Sequence, residues 1–248
     1  MNTVTLSRVA DNQWHAIEND LVVGRGHAAR RLDGRTFLSI DTWRDAVFDR
    51  LAAAMLADQS APQYTVVDET DRELTANWER AGFARARRES EFVVPTEVTP
   101  VEAPAGVIIT TASEAPLREL DRAIRAEVEA TVGWQTMPAE VLPWQGGARP
   151  LDPSTCTIAT KDGRYVGMVR VATRTRRPRI GLVAVLTAER RHGIARALLT
   201  QTLSGLHHAG FEAATAEVDE TNAAALALFE GLGAERTGGS VELINERA

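Results

Sequence analysis

Apolar positions in residues 106–248 follow strand spacing and helix spacing in turn. Apolar side chains in Leu117–Val128 recur three and four residues apart, which is typical of one face of a helix. The run 180–186 is apolar throughout, which predicts a central strand covered on both faces. The predicted elements in order are strand 107–111, a helix from Pro116, a short helix after Pro138, strands 156–160, 165–171 and 180–186, helix 193–208, strand 213–218, helix 222–232 and a strand near 241–244. This order predicts an α/β (α+β) fold.

The region between Val94 and Gly106 contains three prolines and scattered acidic residues, which disfavour a helix and favour an extended linker. The predicted organisation is a first domain at 1–94, a Pro-rich linker at 95–105 and a second domain at 106–248. Within the first domain the patterns predict strands at 3–8, 14–18, 21–23 and 36–40 and a helix at 42–56.

The two predicted domains share a weak internal repeat. The tetrapeptide Val67–Thr70 recurs as Val218–Thr221, 151 residues later. The same offset relates Trp78 to Phe229, Gly82 to Gly233, Arg85 to Arg236 and Glu91 to Glu242. A register held through an aromatic, a glycine and charged residues predicts that the fold is duplicated.

Composition limits the classes of function. The net charge of −6 argues against a nucleic-acid-binding protein, which usually has a basic face. No apolar run reaches the ~18 residues of a membrane span, and the N-terminus has no signal-peptide pattern. Cys156 is the single cysteine and is expected in the core, and no histidine has a metal-ligand context, so no metal site is expected. A cytoplasmic protein that binds neither nucleic acid nor membrane is predicted, and a homodimer is left open.

Candidate chemistry begins at the end of the apolar strand, where Arg190–Ala195 opens a helix. The first turn of a helix has N–H groups without intrahelical partners and carries partial positive charge. Gly193 and Ala195 are small enough for phosphate oxygens to approach the backbone, and Arg196 adds a cationic side chain. The segment predicts a diphosphate site. An ordinary amphipathic helix with a basic start and a site for another diphosphate nucleotide remain alternatives.

This segment resembles the Arg/Gln-x-x-Gly-x-Gly/Ala motif of the GNAT superfamily of N-acetyltransferases, with Arg190, Gly193 and Ala195 as the matching residues. The family's Asn-x-x-Ala-x-x-Leu-Tyr helix is matched by Asn222–Phe229, with Phe229 in place of the tyrosine. The resemblance covers about 140 residues and implies the GNAT fold, a mixed, mostly antiparallel sheet flanked by helices.

Membership would imply a tandem-type protein whose first unit is degenerate or truncated. By the repeat offset, the first unit's counterpart of the helix start is Ser39–Arg44. That segment lacks glycine and contains Asp41 and the bulky Trp43, so no coenzyme A site is predicted there.

The resemblance also implies roles for individual residues. The strand residues Val183, Ala184 and Val185 would run beside the pantetheine arm of acetyl-CoA. The pyrophosphate cradle would comprise Arg190, Arg191, His192, Gly193, Ile194, Ala195 and Arg196, and Asn222, Ala225 and Phe229 would complete the cofactor site. A primary amine would attack the thioester directly, without a covalent enzyme intermediate.

The catalytic acid and base are less defined. The family's tyrosine often protonates the leaving thiolate, and Phe229 has no hydroxyl, so Tyr165 or a water is the candidate acid. Asp219 is the candidate base, with a helix-capping acid as the alternative. Glu127, Glu129 and Trp134 are predicted to line the acceptor pocket, with a solvated helix face as the alternative for the two glutamates.

Two functions follow from the sequence. The favoured one is an N-acetyltransferase that acts on an amine of a small molecule or peptide. The alternative is a non-catalytic acyl-CoA-binding sensor or assembly module, which is consistent with the missing tyrosine.

Overall fold

The computed structural model describes residues 4–31, 34–58, 60, 62–132, 151–173 and 176–247. The strands are β1 (Thr5–Ala10), β2 (Gln13–Glu18), β3 (Leu21–Arg30), β4 (Thr36–Asp41), β5 (Gln63–Asp68), β6 (Ala84–Pro95), β7 (Val107–Thr111), β8 (Cys156–Lys161), β9 (Arg164–Ala172), β10 (Arg179–Val185), β11 (Ala213–Asp219) and β12 (Glu235–Asn245). The α-helices are α1 (Asp45–Asp58), α2 (Arg72–Arg80), α3 (Glu114–Val132), α4 (Ile194–His208) and α5 (Ala223–Glu230). Single 3₁₀ turns lie at Pro153–Thr155 and Thr187–Glu189.

The described residues form two compact units whose boundaries differ from the predicted domains. The first unit contains the chain up to Arg88 together with the residues from Gly239 onward. The second unit begins at Glu89 and ends at Gly238. The predicted linker 95–105 therefore belongs to the second unit, and the end of the predicted second domain belongs to the first.

The first unit contains strands in the order β1-β2-β3-β4-β5-β12, with α1 and α2. Its pairings are antiparallel except for β4 with β5, which is parallel. Trp78 lies at the centre of the core at 1% exposure, edge-on to Phe48 and Phe83 at ring distances of 5.0 and 4.8 Å. Edge-to-face aromatic pairs add to the stability that burial of the rings provides.

The second unit contains strands in the order β6-β11-β10-β9-β8-β7, with a parallel pair at β10 and β11. Successive residues of a strand face opposite sides of a sheet, and β9 shows this at Met168 and Val169, both fully buried. Met168 packs in the cluster that contains Leu117 and Ile124 of α3. Val169 packs in the cluster that contains Leu198 of α4. In β10, Val183 packs against the cluster of α4 and Leu182 against the cluster of α3, so β10 is a central strand covered on both faces, as predicted.

The two halves of the chain exchange their last strands. β6 belongs to the first half of the sequence but pairs with β11, and β12 belongs to the second half but pairs with β5. Asp219 lies opposite Glu89, and Asp68 lies opposite Ser240. The repeat offset of 151 residues relates Asp68 to Asp219 and position 89 to position 240, so the two strand pairs have the same register. This equal register supports the predicted duplication. It also explains the unit boundaries, since each unit is completed by the other half's strand.

The Pro-rich segment is extended but is not a free linker. Thr96 is fully buried, and its backbone N–H donates to the carbonyl of Glu212 at 3.2 Å. The N–H of Val101 donates to Thr200 Oγ1 at 3.0 Å, and Val98 and Ala103 pack against the core of the second unit. Prolines exclude a helix here, as predicted, but they do not prevent packing.

Other differences are local. β3 continues through Gly24 and Gly26 to Arg30, beyond the predicted end of the strand at residue 23. A Cβ on Gly24 would lie 2.7 Å from Val47 Cγ1, and one on Gly26 would collide with Met55, so these glycines allow α1 to pack closely on the strand. The short helix predicted after Pro138 lies outside the described residues.

Candidate functional site

The predicted cofactor strand β10 opens a gap in the sheet of the second unit. Among the described residues, β10 pairs with β11 only at Arg179 and Ile180, although β11 pairs with β6 along its whole length. The register of β10 against β9 shifts between Ile180 and Leu182, which leaves Gly181 as a β-bulge. The backbone from the bulge to Val185 therefore separates from β11. This gap contains the three predicted strand residues, Val183, Ala184 and Val185.

The gap leads to the start of α4, which has an unusual N-terminus. Gly193 is the N-cap and has a left-handed φ of 83°, and no side chain of the described residues caps the helix. The first intrahelical bond runs from the N–H of Ala197 to the carbonyl of Gly193, so the N–H groups of Ile194, Ala195 and Arg196 precede it. By contrast, Asp71 and Asn222 cap α2 and α5 with their side chains. An uncapped helix start with a glycine is suited to bind an anion.

There is open space in front of this helix start. A Cβ built on Gly193 would have no heavy atom closer than Pro104 Cγ at 3.9 Å, and Gly193 and His192 are both exposed. The preceding residue, Arg191, also has a positive φ of 67°. Consecutive bends of this kind direct backbone N–H groups toward one side, which favours a phosphate.

The basic side chains of the predicted cradle are placed differently from one another. Arg190 Nε donates to the carbonyl of Val185 at 2.9 Å, and one terminal nitrogen lies 3.4 Å from Glu127 Oε2. Arg196 donates to the carbonyl of Gly231 at 3.1 Å, whereas Arg191 makes no side-chain hydrogen bond within the described residues. All three arginines are exposed, so Arg191 is the one whose guanidinium is not already held by a backbone carbonyl.

Asn222 and Phe229 lie at the two ends of α5. Asn222 Oδ1 accepts a hydrogen bond from the N–H of Ala225 at 3.1 Å, so the side chain serves as the N-cap of α5. Phe229 is buried at 4% exposure and stacks on Phe92 with ring centres 6.2 Å apart. In this structure Phe229 occupies the core position that Trp78 occupies in the first unit.

The two predicted catalytic groups have structural partners. Asp219 Oδ1 accepts from the N–H of Thr221 at 2.8 Å and from its hydroxyl at 2.5 Å. Asp68 makes the same two bonds to Thr70, and these bonds hold the pKa of the Asp68 carboxyl below its usual value. The Tyr165 hydroxyl accepts a bond from the N–H of Ser113 at 2.9 Å.

The acceptor side is described only in part. Glu129 lies exposed on α3, and Trp134 lies outside the described residues. Cys156 is buried in the core beneath α3, as the sequence predicted, and burial raises the pKa of its thiol. Within the described residues, no group of three or more metal-ligating side chains comes together, and no helix has the length and hydropathy of a membrane span.

Two functional features were not found from the sequence. The bulge at Gly181 depends on register, which sequence spacing does not report. The contact of Glu127 with the loop before α4 joins residues about 60 positions apart, and nothing in the local pattern around Glu127 indicates it.

In the first unit, β4 and β5 leave a similar gap, but the helix start that follows lacks the features of the predicted phosphate cradle. Among the described residues, β4 pairs with β5 only at Thr36 and Phe37. The segment before α1 contains Trp43, which is 81% exposed, and the helix begins with the acidic Asp45. Acidic charge at a helix start opposes phosphate binding. The degenerate first unit remains a prediction.

Similar structures show the same fold. A GCN5-related N-acetyltransferase from Sphaerobacter thermophilus has a TM-score of 0.71 at 17% identity, over 97% of this chain and 82% of that one. A tandem GNAT protein from the clavulanic acid biosynthesis pathway has a TM-score of 0.63 at 18% identity, over 94% and 82%. A GCN5-related N-acetyltransferase from Kribbella flavida has a TM-score of 0.60 at 15% identity, over 100% and 90%.

Sequence comparison matches part of the chain to one family model. No curated protein matches the chain significantly. The model of the acetyltransferase (GNAT) family matches residues 119–234, which include β10, the loop before α4 and α5. The part of the chain from residue 119 to residue 234 therefore matches the acetyltransferase (GNAT) family.

Proposed function

We propose that this protein is an N-acetyltransferase that transfers the acetyl group of acetyl-CoA to a primary amine by direct attack. The family domain implies acyl transfer from an acyl-CoA. The observation that supports the cofactor site is the gap beside β10, which ends at a helix start with no side-chain cap. A pantetheine arm can pair with the exposed edge of β10 while the pyrophosphate accepts bonds from the N–H groups at Gly193–Arg196.

The reaction needs little from the protein besides positioning. The amine nitrogen would attack the thioester carbon, the C–S bond would break, and the thiolate would leave with the bonding electron pair. The bulge at Gly181 interrupts the pairing of β10, so a backbone N–H of this region would be available to the thioester oxygen. Holding amine and thioester at contact distance supplies a large part of the rate enhancement.

Proton transfer has two candidate groups. Asp219 and Tyr165 remain predictions as base and acid. The bonds of Asp219 are repeated by Asp68 in the unit without a cradle, so a turn-forming role accounts for them without catalysis. We therefore propose that water carries the proton from the amine. A thiolate whose pKa resembles that of cysteine, about 8.5, leaves without full protonation.

The alternative is an acyl-CoA sensor without turnover. It is favoured by the buried position of Phe229, which places no hydroxyl at the family's tyrosine position. Both functions require the cofactor site, and only turnover with an amine distinguishes them. The acceptor, the preference for acetyl over longer acyl groups, a homodimer, the absence of nucleic-acid and membrane partners and the cytoplasmic location remain predictions.

Calorimetric titration with acetyl-CoA tests the site. We expect the wild type to bind and Gly193→Asp to lose binding, because the carboxylate would occupy the phosphate position and repel it. Gly163→Asp is the matched control, since Gly163 also has a positive φ of 73° and open space around it, but lies in the β8–β9 turn. Loss of binding in both variants, or no binding by the wild type, would contradict the proposed site. A screen of amines for turnover with the wild type follows a positive result.

A further inference from the structure

Glu127 connects α3 to the loop that precedes α4. Its Oε2 accepts from the N–H of Thr187 at 2.9 Å and from the Thr187 hydroxyl at 2.8 Å. Oε1 lies 3.2 Å from the same N–H, and Arg190 approaches Oε2 at 3.4 Å. The carboxylate is about one-third exposed, at 30%. A single side chain thus contacts the first residue of the 3₁₀ turn and the first arginine of the predicted cradle.

These bonds hold a loop whose conformation is costly. Between Thr187 and the helix start, Arg191 adopts a left-handed φ of 67°, which a residue with a Cβ rarely takes. Such a conformation persists only where surrounding contacts fix it. Within the described residues the loop is fixed from three sides, by Glu127 at Thr187, by Lys161 on Glu189 at 2.8 Å and by Arg190 on the carbonyl of Val185.

The charge of Glu127 argues that its role is to order the loop. A carboxylate near a bound pyrophosphate would repel it unless it were neutralised. Here Arg190 offsets the negative charge of Glu127, and the N–H and hydroxyl of Thr187 stabilise the carboxylate by hydrogen bonds. With three donors on Oε2 and one on Oε1, the carboxylate is also poorly placed to act as a general base.

We infer that Glu127 is a positioning residue that fixes the loop 187–193 in the conformation that binds the pyrophosphate of coenzyme A. The inference rests on the proposed function. Glu127 acts through Thr187 and Arg190. It also ties α3 to the cofactor loop, so order in the helix and affinity for the cofactor would be linked.

The test uses Glu127→Ala, Glu127→Gln and a control on the same helix. Glu127→Ala removes every acceptor, whereas Glu127→Gln keeps one amide oxygen for Thr187 and loses the charge that faces Arg190. Glu119→Ala is the control, because Glu119 is an exposed acid on α3. Coenzyme A affinity is measured by calorimetry, loop order by hydrogen exchange of peptides that cover 186–193, and folding by thermal unfolding.

We expect Glu127→Ala to weaken coenzyme A binding about tenfold, as for the loss of a charge-assisted hydrogen bond. Exchange in 186–193 should accelerate by a similar factor, Glu127→Gln should lie between Ala and wild type, and Glu119→Ala should match wild type. In turnover assays KM for acetyl-CoA should rise with little change in kcat.

Three outcomes would overturn the inference. Wild-type binding with unchanged affinity in both Glu127 variants would refute it and leave the proposed function intact. Loss of thermal stability throughout the second unit without a specific effect on 186–193 would show an ordinary structural contact. No coenzyme A binding by the wild type would instead refute the proposed function, and the inference with it.

Discussion

Replacing Leu243 by alanine should destabilise the first unit, although Leu243 lies in the last strand of the chain. Leu243 is fully buried and belongs to the core cluster that contains Trp78 and Phe48. Its counterpart by the repeat offset is Phe92 of β6, which is 3% exposed and packs in the core of the second unit against Phe229. Phe92→Ala is therefore the reciprocal variant.

The size of the effect follows from the buried groups. Leu243→Ala removes three carbon atoms, worth about 2.4 kcal/mol of transfer free energy at ~0.8 kcal/mol each. The cavity that remains brings the expected loss of unfolding free energy to about 3 kcal/mol, within the usual 2–5 kcal/mol for such changes. Phe92→Ala should cost about 3–5 kcal/mol.

Native-state hydrogen exchange resolves where the loss occurs. A loss of about 3 kcal/mol raises the exchange rate of amides that open with the affected unit by about a hundredfold. In Leu243→Ala this acceleration should fall on α1, β3 and β5, and in Phe92→Ala on α4, β10 and β11. The matched pair controls for a general effect of core truncation.

The reasoning would be refuted if Leu243→Ala accelerated exchange in α4 and β10 more than in α1. Equal acceleration in all elements would also contradict it, because the strand would then stabilise no particular unit. Unchanged exchange in every element would show that Leu243 contributes little to the core.

Three further predictions concern Gly193, Cys156 and Asp219. Gly193→Ala should cost about 1–2 kcal/mol of stability through its left-handed φ alone, since the nearest heavy atom would be 3.9 Å from the Cβ, and it should also weaken acetyl-CoA binding in calorimetry; unchanged affinity would contradict the cradle. Because burial raises the pKa of Cys156, the native protein should react slowly with iodoacetamide near pH 8.5, and rapid labelling without denaturant would contradict this. The free energy of unfolding should also fall as the pH rises above the thiol's unfolded pKa of about 8.5, since only the unfolded chain ionises readily. Asp219→Asn keeps the acceptor oxygen of the turn but no base, so turnover should stay within about threefold, whereas a general base would lose about 10²-fold or more; Asp68→Asn is the control.

Much of the second unit was predictable because its elements have distinct spacings. The helix from 194 to 208 and the strands on either side follow from apolar runs and a glycine at the helix start. The motif around Arg190 and Gly193 was sufficient to locate the helix start, since its physical requirement, small residues and unpaired N–H groups, is local. The repeat also predicted equivalent positions for Trp78 and Phe229.

What the sequence did not predict depends on pairing between distant segments. Nothing local distinguishes a strand that pairs within its own half from one that pairs with the other half, so the domain boundaries differ from the predicted ones. The continuation of β3 through Gly24 and Gly26 was missed because these glycines make room for α1, and the close approach of a helix is a tertiary contact. The contact of Glu127 with Thr187 is of the same kind.

The strand exchange has a consequence for synthesis of the chain on the ribosome. The first unit is made first and β5 can pair with β4 at once, yet its other partner strand, β12, is complete only after residues beyond Gly239 have been translated. Until then the nascent first half presents an unpaired strand edge and cannot complete its core. In the second unit, by contrast, β6 has already been translated when its partner strand β11 emerges from the ribosome. Folding should therefore finish in the reverse of the order in which the two units begin to be made, and during elongation the first half should depend on chaperones for protection against aggregation.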